Sequence, residues 1–130
     1  MCGIVGFFSA DGCNHQNIVE DMMDAIKHRG PDDKGFWHNS ESNVYLGHRR
    51  LSVVDLSSLG HQPMTSCSDR YVIVFNGEIY NHLLLRKSLK KSGVNITWRG
   101  HSDTETLLAC IDTWGLKKTI QKGSGMFAIA

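Results

Sequence analysis

Short apolar runs separated by polar loops give the chain an alternating pattern of strand-like and helix-like segments. The runs at 3–8 and 71–75 are continuous, which is typical of strands buried on both faces, so we expect sheets that are covered on both sides. Asn76-Gly77 is predicted to end the second of these strands in a tight turn. Shorter runs predict four more strands, at 35–38, 44–51, 94–98 and 126–130, and the composition of 55–69 is that of a loop.

Helical periodicity predicts helices between these strands. The predicted starts are the capping boxes Asn17–Glu20 and Ser102–Glu105 and the single cap Asn81. The predicted buried faces are Ile18, Val19, Met22, Met23 and Ile26 in the first helix and Leu107, Leu108, Ile111 and Trp114 in the third. The second helix is predicted to occupy 82–92, and a short polar helix 116–122.

The composition excludes several classes of function. The 130 residues suffice for one domain with a real core, and 41% of them are apolar. Fourteen basic residues oppose thirteen acidic ones without forming a basic stripe, so we expect no nucleic-acid partner. No apolar run approaches the ~20 residues that cross a bilayer, and the first residues lack the features of a signal peptide. We therefore expect a cytoplasmic protein with no membrane partner.

The cysteines and histidines do not have the spacing of a metal site. No short ligand pair occurs among the four cysteines, which are Cys2, Cys13, Cys67 and Cys110. We therefore predict no metal, although a cysteine–histidine metal or redox module is kept as an alternative. Cys110 lies among apolar residues and is expected in the core. Packing or solvent-facing roles are expected for His48, His61 and His101.

The first two residues carry a chemical signal. Cys2 directly follows Met1, and removal of Met1 would give Cys2 a free α-amine with a pKa of about 7.7–8.0, close to working pH. Cys2 would then supply both a thiol nucleophile and a base, as N-terminal threonine enzymes do. The alternative is a small apolar residue packed at the end of a strand.

Three further polar positions suit a thiol that attacks a carboxamide. The negative charge that develops on the amide oxygen needs fixed donors, which the Asn76 side chain and the Gly77 N–H would provide, unless this pair is only a turn. Arg50, at a strand end, would bind a carboxylate in a bidentate manner, or else be a solvated surface arginine. Asp103, at a helix start, would bind an ammonium group, or else only cap the helix.

Seven motifs, in order along the chain, resemble the class II glutamine amidotransferase domain, and most closely the glutaminase half of glutamine-dependent asparagine synthetase. They are MCGIVG at 1–6, HRGPD at 28–32, LGHRRLSVVD at 46–55, QPM at 62–64, FNGEIYNH at 75–82, SDTE at 102–105 and GMFA at 125–128. The resemblance implies an α+β fold of the N-terminal-nucleophile (Ntn) hydrolase type. In that fold, antiparallel sheets form a four-layer α-β-β-α sandwich.

The resemblance also implies that residues 1–130 form a domain that hydrolyses glutamine to glutamate and ammonia. Cys2 would be the nucleophile and its α-amine the base, while the Asn76 side chain and the Gly77 N–H would form the oxyanion hole. Arg50 would bind the α-carboxylate of glutamine. The other residues implied to bind glutamine are Asp103 and Glu78, which would hold the α-ammonium group, and Leu51, Ser52, Val53 and Val54, whose backbone would line the pocket.

The resemblance covers only the first part of a family protein. No ATP-binding loop of the SGGxDS type is present, so we expect the ammonia to reach a synthetase domain outside this chain. That domain would use ATP and magnesium, whereas this one is expected to need no cofactor. The chain ends inside an apolar run, so we expect a domain that is truncated at its C-terminus, with an unpaired sheet edge through which two copies would form a homodimer.

Two alternatives to this function stay open. The glutaminase could feed a related amidotransferase that acts on a sugar or another natural product. The chain could instead be a non-catalytic glutamine-binding fragment if Met1 is retained, because Cys2 would then have no free amine.

Overall fold

The computed structural model describes residues 1–11, 14–53 and 56–130. Its strands are β1 (Gly3–Phe8), β2 (Asp33–Asn39), β3 (Val44–Arg50), β4 (Met64–Thr65), β5 (Val72–Ile73), β6 (Phe75–Ile79) and β7 (Gly125–Ile129). Its helices are α1 (Gln16–Ala25), α2 (His82–Lys91), α3 (Asp103–Trp114) and α4 (Leu116–Lys122), with short 3₁₀ turns at Lys27–Arg29 and Ser58–Gly60. Among the described residues, no helix is both long enough and apolar enough to span a membrane.

All strand pairs in the described part of the chain are antiparallel, so the domain is a mixed α/β structure with antiparallel sheets. In the three-stranded sheet, β3 lies between β1 and β2, and the other pairs are β4-β5 and β6-β7. Gly3 of β1 lies opposite Arg49 of β3. The residue before β1 therefore lies beside the residues that follow β3. The predicted antiparallel α+β class is confirmed at this level of detail.

Two hydrophobic clusters hold these elements together. The larger one joins α3 to β6 and α2, and Leu107 and Ile79 within it are fully buried. The smaller one joins α1 to β3 through Val19, Met23 and Tyr45. The predicted apolar faces of α1 and α3 are thus confirmed in outline.

The burial of two side chains, Ile18 and Cys110, can be compared with its prediction. Ile18, which was assigned to the buried face of α1, is exposed, because the face that meets β3 is narrower than the apolar stripe. Cys110 is fully buried, as predicted, and its burial raises the pKa of the thiol to about 12. The thiol therefore stays protonated at neutral pH and acts as a packing group.

The apolar run at 71–75 does not form one strand, contrary to the prediction. Val72–Ile73 pairs with β4, and the chain then changes partner, so that Phe75–Ile79 pairs with β7. Asn76 and Gly77 therefore lie inside β6 and not in a turn. Apolar side chains indicate that both segments are buried, but they do not indicate which strand each segment will pair with.

One other strand prediction is wrong, and the predicted burial of β1 is incomplete. Residues 94–98 form no strand, and Ile96 and Trp98 pack against the larger cluster from an irregular segment. Phe8, in the run 3–8 that was predicted to be buried on both faces, is 69% exposed at the end of β1, and Met126 of β7 is 75% exposed. Neighbouring side chains of a strand point to opposite faces, so each exposed side chain marks a face that is open at that point.

The caps of the first two helices differ from the predicted ones. Helix α1 begins at Gln16, so Asn17 is already inside the helix, and Glu20 accepts a hydrogen bond of 2.8 Å from the Gln16 side chain. Asn81 does occupy the N-cap position of α2, but its side chain makes no capping bond. Its Nδ2 instead donates to the carbonyl oxygen of Lys122 at the end of α4, and its Oδ1 accepts from the backbone N–H of Ser124.

The cap of α3 is half of the predicted capping box. The Ser102 hydroxyl accepts a hydrogen bond of 3.2 Å from the backbone N–H of Glu105, as a capping residue should. The Glu105 carboxylate does not return to Ser102. It accepts hydrogen bonds from the backbone N–H groups of Arg99 and Gly100, at 2.8 and 3.1 Å. Glu105 thereby fixes the loop that leads into α3.

Two neighbouring leucines of α2 provide a test of the larger cluster. Leu85 is 3% exposed and Leu84 is 61% exposed, although the two residues are identical and adjacent. We expect Leu85→Ala to lower the free energy of unfolding by about 2–5 kcal/mol, because the substitution leaves a cavity. Leu84→Ala should change it by less than about 0.5 kcal/mol. Urea denaturation of both variants measures the difference, and equal losses would contradict this packing.

Candidate active site

Cys2 lies at the start of β1, beside the end of β3. Its sulfur is 3.4 Å from the backbone nitrogen of Leu51 and 3.6 Å from the carbonyl oxygen of the same residue. The backbone carbonyl of Cys2 accepts a hydrogen bond of 3.1 Å from Nε of Arg29. The thiol is free and the residue is half-buried. Cys2 is thus held through both its backbone and its side chain, and the residue stays partly exposed.

Strand β6 turns one row of backbone N–H groups away from its partner β7. Val74 and Ala130, one residue beyond the paired segments, exchange two backbone hydrogen bonds of 2.9 and 3.1 Å. Hydrogen-bonded and non-hydrogen-bonded pairs alternate along an antiparallel ladder. The N–H groups of Phe75, Gly77 and Ile79 therefore point to the edge of β6 that β7 does not occupy.

Side chains bind the two outer N–H groups of this row. Phe75 donates to Oε1 of Gln62 at 2.6 Å, and Ile79 donates to Oδ2 of Asp103 at 2.9 Å. The N–H of Gly77 lies between these two bonds, in the wall of a cavity. The edge of β6 therefore offers a fixed donor to a molecule in that cavity.

Only glycine fits at position 77. Its φ is +153°, a conformation that residues with a side chain rarely adopt. A Cβ atom there would lie 2.3 Å from the carbonyl oxygen of Met126 and 2.5 Å from Cα of Phe127, both in β7. Asn76, the preceding residue, is half-buried and lines the same cavity. The predicted turn is therefore replaced by a closely packed strand pair.

Arg50, the last residue of β3, is buried and not a solvated surface residue. It is 7% exposed, and its Nη1 donates to the carbonyl oxygen of Ser57 at 2.8 Å. A Cβ atom on Gly60 would lie 2.2 Å from Nη2, so the guanidinium group packs directly on glycine backbone. Arg50 thus brings a positive charge to the cavity wall in a fixed orientation.

Asp103 is the first residue of α3 and is 5% exposed. Its Oδ1 accepts from the backbone N–H of Thr104 at 2.9 Å, and its Oδ2 accepts from Ile79. Ser102, and not Asp103, is the N-cap of α3. Asp103 instead joins the start of α3 to β6. An ionised carboxylate has about four acceptor positions, so Asp103 retains capacity for a cationic group in the cavity.

One cavity of about 560 Å³ brings most of the predicted site residues together. This size lies within the range of roughly 300–1,000 Å³ that is usual for small-molecule sites. The predicted residues that line it are Cys2, Arg50, Leu51, Val53, Asn76, Gly77, Glu78 and Asp103. A thiol, an arginine and a carboxylate thus face one space, together with an amide side chain and the edge of β6.

Two predicted pocket residues are not among those that line the cavity. The backbone N–H of Ser52 donates to Oδ2 of Asp32 at 2.8 Å, which ties the segment after β3 to the HRGPD motif. Val54 lies outside the described residues. Of the predicted segment 51–54, Leu51 and Val53 are the residues that line the cavity in the described part of the chain.

Sequence reasoning assigned no role to several other residues that line the cavity. The most informative are Gln62, Tyr80, Thr104 and Met126. All four belong to motifs that carry the resemblance, namely QPM, FNGEIYNH, SDTE and GMFA. Membership of a motif was therefore the available signal, but a motif does not say which of its side chains faces the cavity.

None of the three histidines considered from the sequence is among the described residues that line the cavity. His48 is 1% exposed, and its Nε2 donates to the backbone carbonyl of Phe75 at 3.0 Å. Burial lowers the pKa of His48 to about 4, against a smaller opposing effect of this hydrogen bond. His61 is half exposed and pairs with Asp33 at 2.7 Å, and His101 is exposed.

The whole chain, residues 1–130, matches the family model of the glutamine amidotransferase domain. The chain therefore belongs to the glutamine amidotransferase family. The resemblance seen in the seven motifs is confirmed, and the domain is that of a glutamine amidotransferase enzyme.

Several curated relatives of this chain are named glutamine-hydrolysing asparagine synthetases. The chain is 39% identical over 132 residues to asparagine synthetase [glutamine-hydrolyzing] 1 of Bacillus subtilis, covering 98% of this chain and 20% of that protein. It is 35% identical over 144 residues to a putative asparagine synthetase [glutamine-hydrolyzing] of Mycobacterium bovis, covering 100% of this chain and 22% of that protein. Amidase chry2 of Gibberella zeae is 34% identical over 127 residues, which cover 89% of this chain and 18% of that protein. The chain thus spans about a fifth of the length of these relatives.

Substitution of Gly77 tests the close packing of β6 on β7. Gly77→Ala should lower the free energy of unfolding by more than Gly93→Ala does. Gly93 also has a positive φ, +79°, but a Cβ there would meet nothing within 4 Å. Gly93→Ala should cost roughly 1–2 kcal/mol, from the backbone conformation alone. Urea denaturation of both variants separates the two effects, and equal losses would show that β7 does not approach Gly77 so closely.

The buried His48 predicts a loss of stability in acid. Between about pH 7 and pH 4, His48 of the unfolded chain takes up a proton near its ordinary pKa of 6.5, while the folded protein keeps it neutral until about pH 4. The free energy of unfolding should therefore fall over this range, by on the order of 3 kcal/mol from this residue. His48→Gln retains an N–H donor but does not titrate, so its urea-denaturation profile should be flatter. Parallel profiles would contradict the lowered pKa.

Proposed function

We propose that this domain hydrolyses glutamine to glutamate and ammonia, with Cys2 as the nucleophile. The observation that carries the proposal is the single cavity shared by the Cys2 thiol and the middle N–H of the β6 edge. Attack on a carboxamide needs a nucleophile on one side and fixed donors for the oxygen on the other. Membership of the glutamine amidotransferase family supplies the substrate class.

In the proposed reaction, Met1 is first removed, so that Cys2 carries the new N-terminal amine. Met1 lines the cavity and is 78% exposed, which suits its removal. The free amine has a pKa of about 7.7–8.0 and takes the thiol proton. The thiolate attacks the side-chain carboxamide, and the oxyanion is stabilised by the Asn76 side chain and the Gly77 N–H. The amine returns its proton to departing ammonia, and water then hydrolyses the thioester to glutamate.

Two charged residues of the cavity bind the α-carboxylate and α-ammonium groups of glutamine in this proposal. The buried guanidinium group of Arg50 binds the carboxylate. Asp103, the first residue of α3, binds the ammonium group with help from Glu78. The backbone of Leu51, Ser52, Val53 and Val54 is proposed to line the side of the pocket near Cys2.

The finer features of the fold belong to the same proposal. We infer that the domain adopts the Ntn-hydrolase architecture, a four-layer sandwich of two antiparallel sheets between helices. Its support is the family together with the antiparallel pairing of every strand pair in the described residues. The extent of the domain, a homodimer and a cytoplasmic location stay predictions.

The proposed fate of the ammonia follows from the relatives. Two of them are named asparagine synthetases, and the chain covers about a fifth of their length. We infer that the ammonia passes to an ATP-dependent synthetase domain, which would use ATP and magnesium, while the glutaminase chemistry of this chain uses its own side chains. Not every relative is named an asparagine synthetase, since Amidase chry2 is among them. The second candidate, a related amidotransferase whose acceptor is a sugar or another natural product, therefore stays open.

The proposal is tested on the full-length protein in two steps. Intact-mass measurement first establishes whether Met1 is present, and glutamate release from glutamine is then measured. The processed protein should be active, whereas Cys2→Ala and a form that retains Met1 should be inactive. Activity with Met1 in place would refute the role of the amine. A processed protein that binds glutamine without hydrolysing it would favour the non-catalytic alternative.

Substitution of Asn76 tests the oxyanion hole. Asn76→Ala should lower kcat by 10²-fold or more, because loss of one oxyanion donor costs on the order of 3 kcal/mol in the transition state. The KM for glutamine should change little, since the oxyanion exists only after attack. Asn95→Ala, at an exposed asparagine of an irregular segment, is the control. Near-full turnover by Asn76→Ala would refute the assignment.

A further inference from the structure

Gln62 is a buried amide that joins two separate elements of the cavity. It is 5% exposed and follows the short turn Ser58–Gly60. Its Oε1 accepts from the backbone N–H of Phe75 at 2.6 Å, and its Nε2 donates to Oγ1 of Thr104 at 3.3 Å. Phe75 directly precedes the proposed oxyanion donors, and Thr104 directly follows the proposed ammonium-binding residue. Gln62 therefore contacts the backbone next to both halves of the site.

The position of Gln62 is itself fixed. A Cβ atom on Gly35, in β2, would lie 1.9 Å from the carbonyl oxygen of Gln62, so the Gln62 backbone packs directly on that strand. The carbonyl oxygen of Phe75 is held as well, by Nε2 of His48 at 3.0 Å. Both polar groups of the Phe75 backbone are thus bound by side chains that are anchored in the β2–β3 region. The start of β6 has little freedom to shift along its axis.

These bonds close a ring around the middle of β6. At one end, Phe75 is joined through Gln62 to Thr104, and at the other end Ile79 is joined to Asp103. Thr104 and Asp103 are adjacent and are themselves linked, since the Thr104 N–H donates to Asp103 at 2.9 Å. The ring therefore fixes β6 to the start of α3 at two points, with Gly77 between them.

We propose that Gln62, through its bond to Thr104, is a positioning residue that sets the separation between the oxyanion donors and the ammonium-binding carboxylate. This inference rests on the proposed function. That separation has to match the distance between the carboxamide and the α-amino group of the substrate. Gln62 thereby selects for a glutamine-length side chain, because a carboxamide one methylene shorter, as in asparagine, cannot reach both groups at once.

Thr104 offers a conservative way to break the ring. Thr104→Val has nearly the same shape but no acceptor for Gln62, and Thr104→Ser restores the hydroxyl. Thr113→Val is the matched control in the same helix, because the Thr113 hydroxyl bonds only to the carbonyl of Ala109 one turn earlier and the residue is exposed. Thermal melting of each variant reports general loss of structure.

The readout compares two reagents that alkylate Cys2 in the full-length, Met1-free protein. The diazoketone analogue of glutamine, 6-diazo-5-oxo-L-norleucine, carries the α-amino and α-carboxylate groups, whereas iodoacetamide carries neither. Thr104→Val should slow inactivation by the diazoketone roughly 3- to 10-fold, as expected for one uncharged hydrogen bond, and should leave iodoacetamide labelling of Cys2 unchanged. Thr104→Ser and Thr113→Val should behave as the wild type. Fragment-ion mass spectrometry of the N-terminal peptide measures Cys2 separately from Cys13 in the same peptide and from the exposed Cys67.

The outcomes separate this proposal from the proposed function. If the wild type hydrolyses glutamine but Thr104→Val keeps the wild-type ratio of diazoketone inactivation to iodoacetamide labelling, Gln62 does not act as a positioning residue. If Thr104→Val slows both reagents equally and melts earlier, its role is only structural, and the positioning proposal is again overturned. If the processed wild type neither hydrolyses glutamine nor reacts preferentially with the diazoketone, the proposed function itself fails and the positioning role falls with it.

Discussion

Strand β6 is hydrogen-bonded to a strand along one edge and to side chains along the other. The first edge is an ordinary antiparallel pairing with β7, which fixes the direction of β6 and requires glycine at position 77. On the second edge, Gln62 and Asp103 occupy the outer N–H groups, in place of a further strand. A backbone edge that would otherwise invite another strand is thereby turned into the wall of a cavity. The proposed anion-stabilising donors owe their place to this arrangement.

The opposite wall of the cavity depends on the pairing of β1 with β3. Because the two strands are antiparallel, the first residue of one lies beside the last residue of the other, and Cys2 meets Leu51. The same strand end carries Arg50 into the cavity. One strand pair thus delivers a thiol and a guanidinium group together. Neither group depends on a flexible side chain reaching across solvent.

The sequence predicted the chemistry of this domain better than its strand pairing. The residues predicted from the motifs do line one cavity, namely Cys2, Arg50, Asn76, Gly77 and Asp103. They could be predicted because their residue types suit one reaction. The run at 71–75 was wrongly predicted as one strand ending in a turn, since apolar character reports burial but not the change of partner at Val74. The exposure of Phe8 was not predicted for a similar reason: a continuous apolar run does not show which of its side chains stay exposed. The role of Gln62 arises from contacts between distant parts of the chain, which no local pattern contains.

The three cysteines of the described part of the chain differ widely in their surroundings. Cys67 is exposed, Cys2 is half-buried, and Cys110 is fully enclosed, with a thiol pKa of about 12. Since only the thiolate reacts with electrophiles, Cys110 is unreactive in the folded protein. It gains normal reactivity once the larger cluster opens. The domain therefore contains an intrinsic reporter of its own unfolding: the rate at which Cys110 becomes modifiable measures how often the core around α3 is breached.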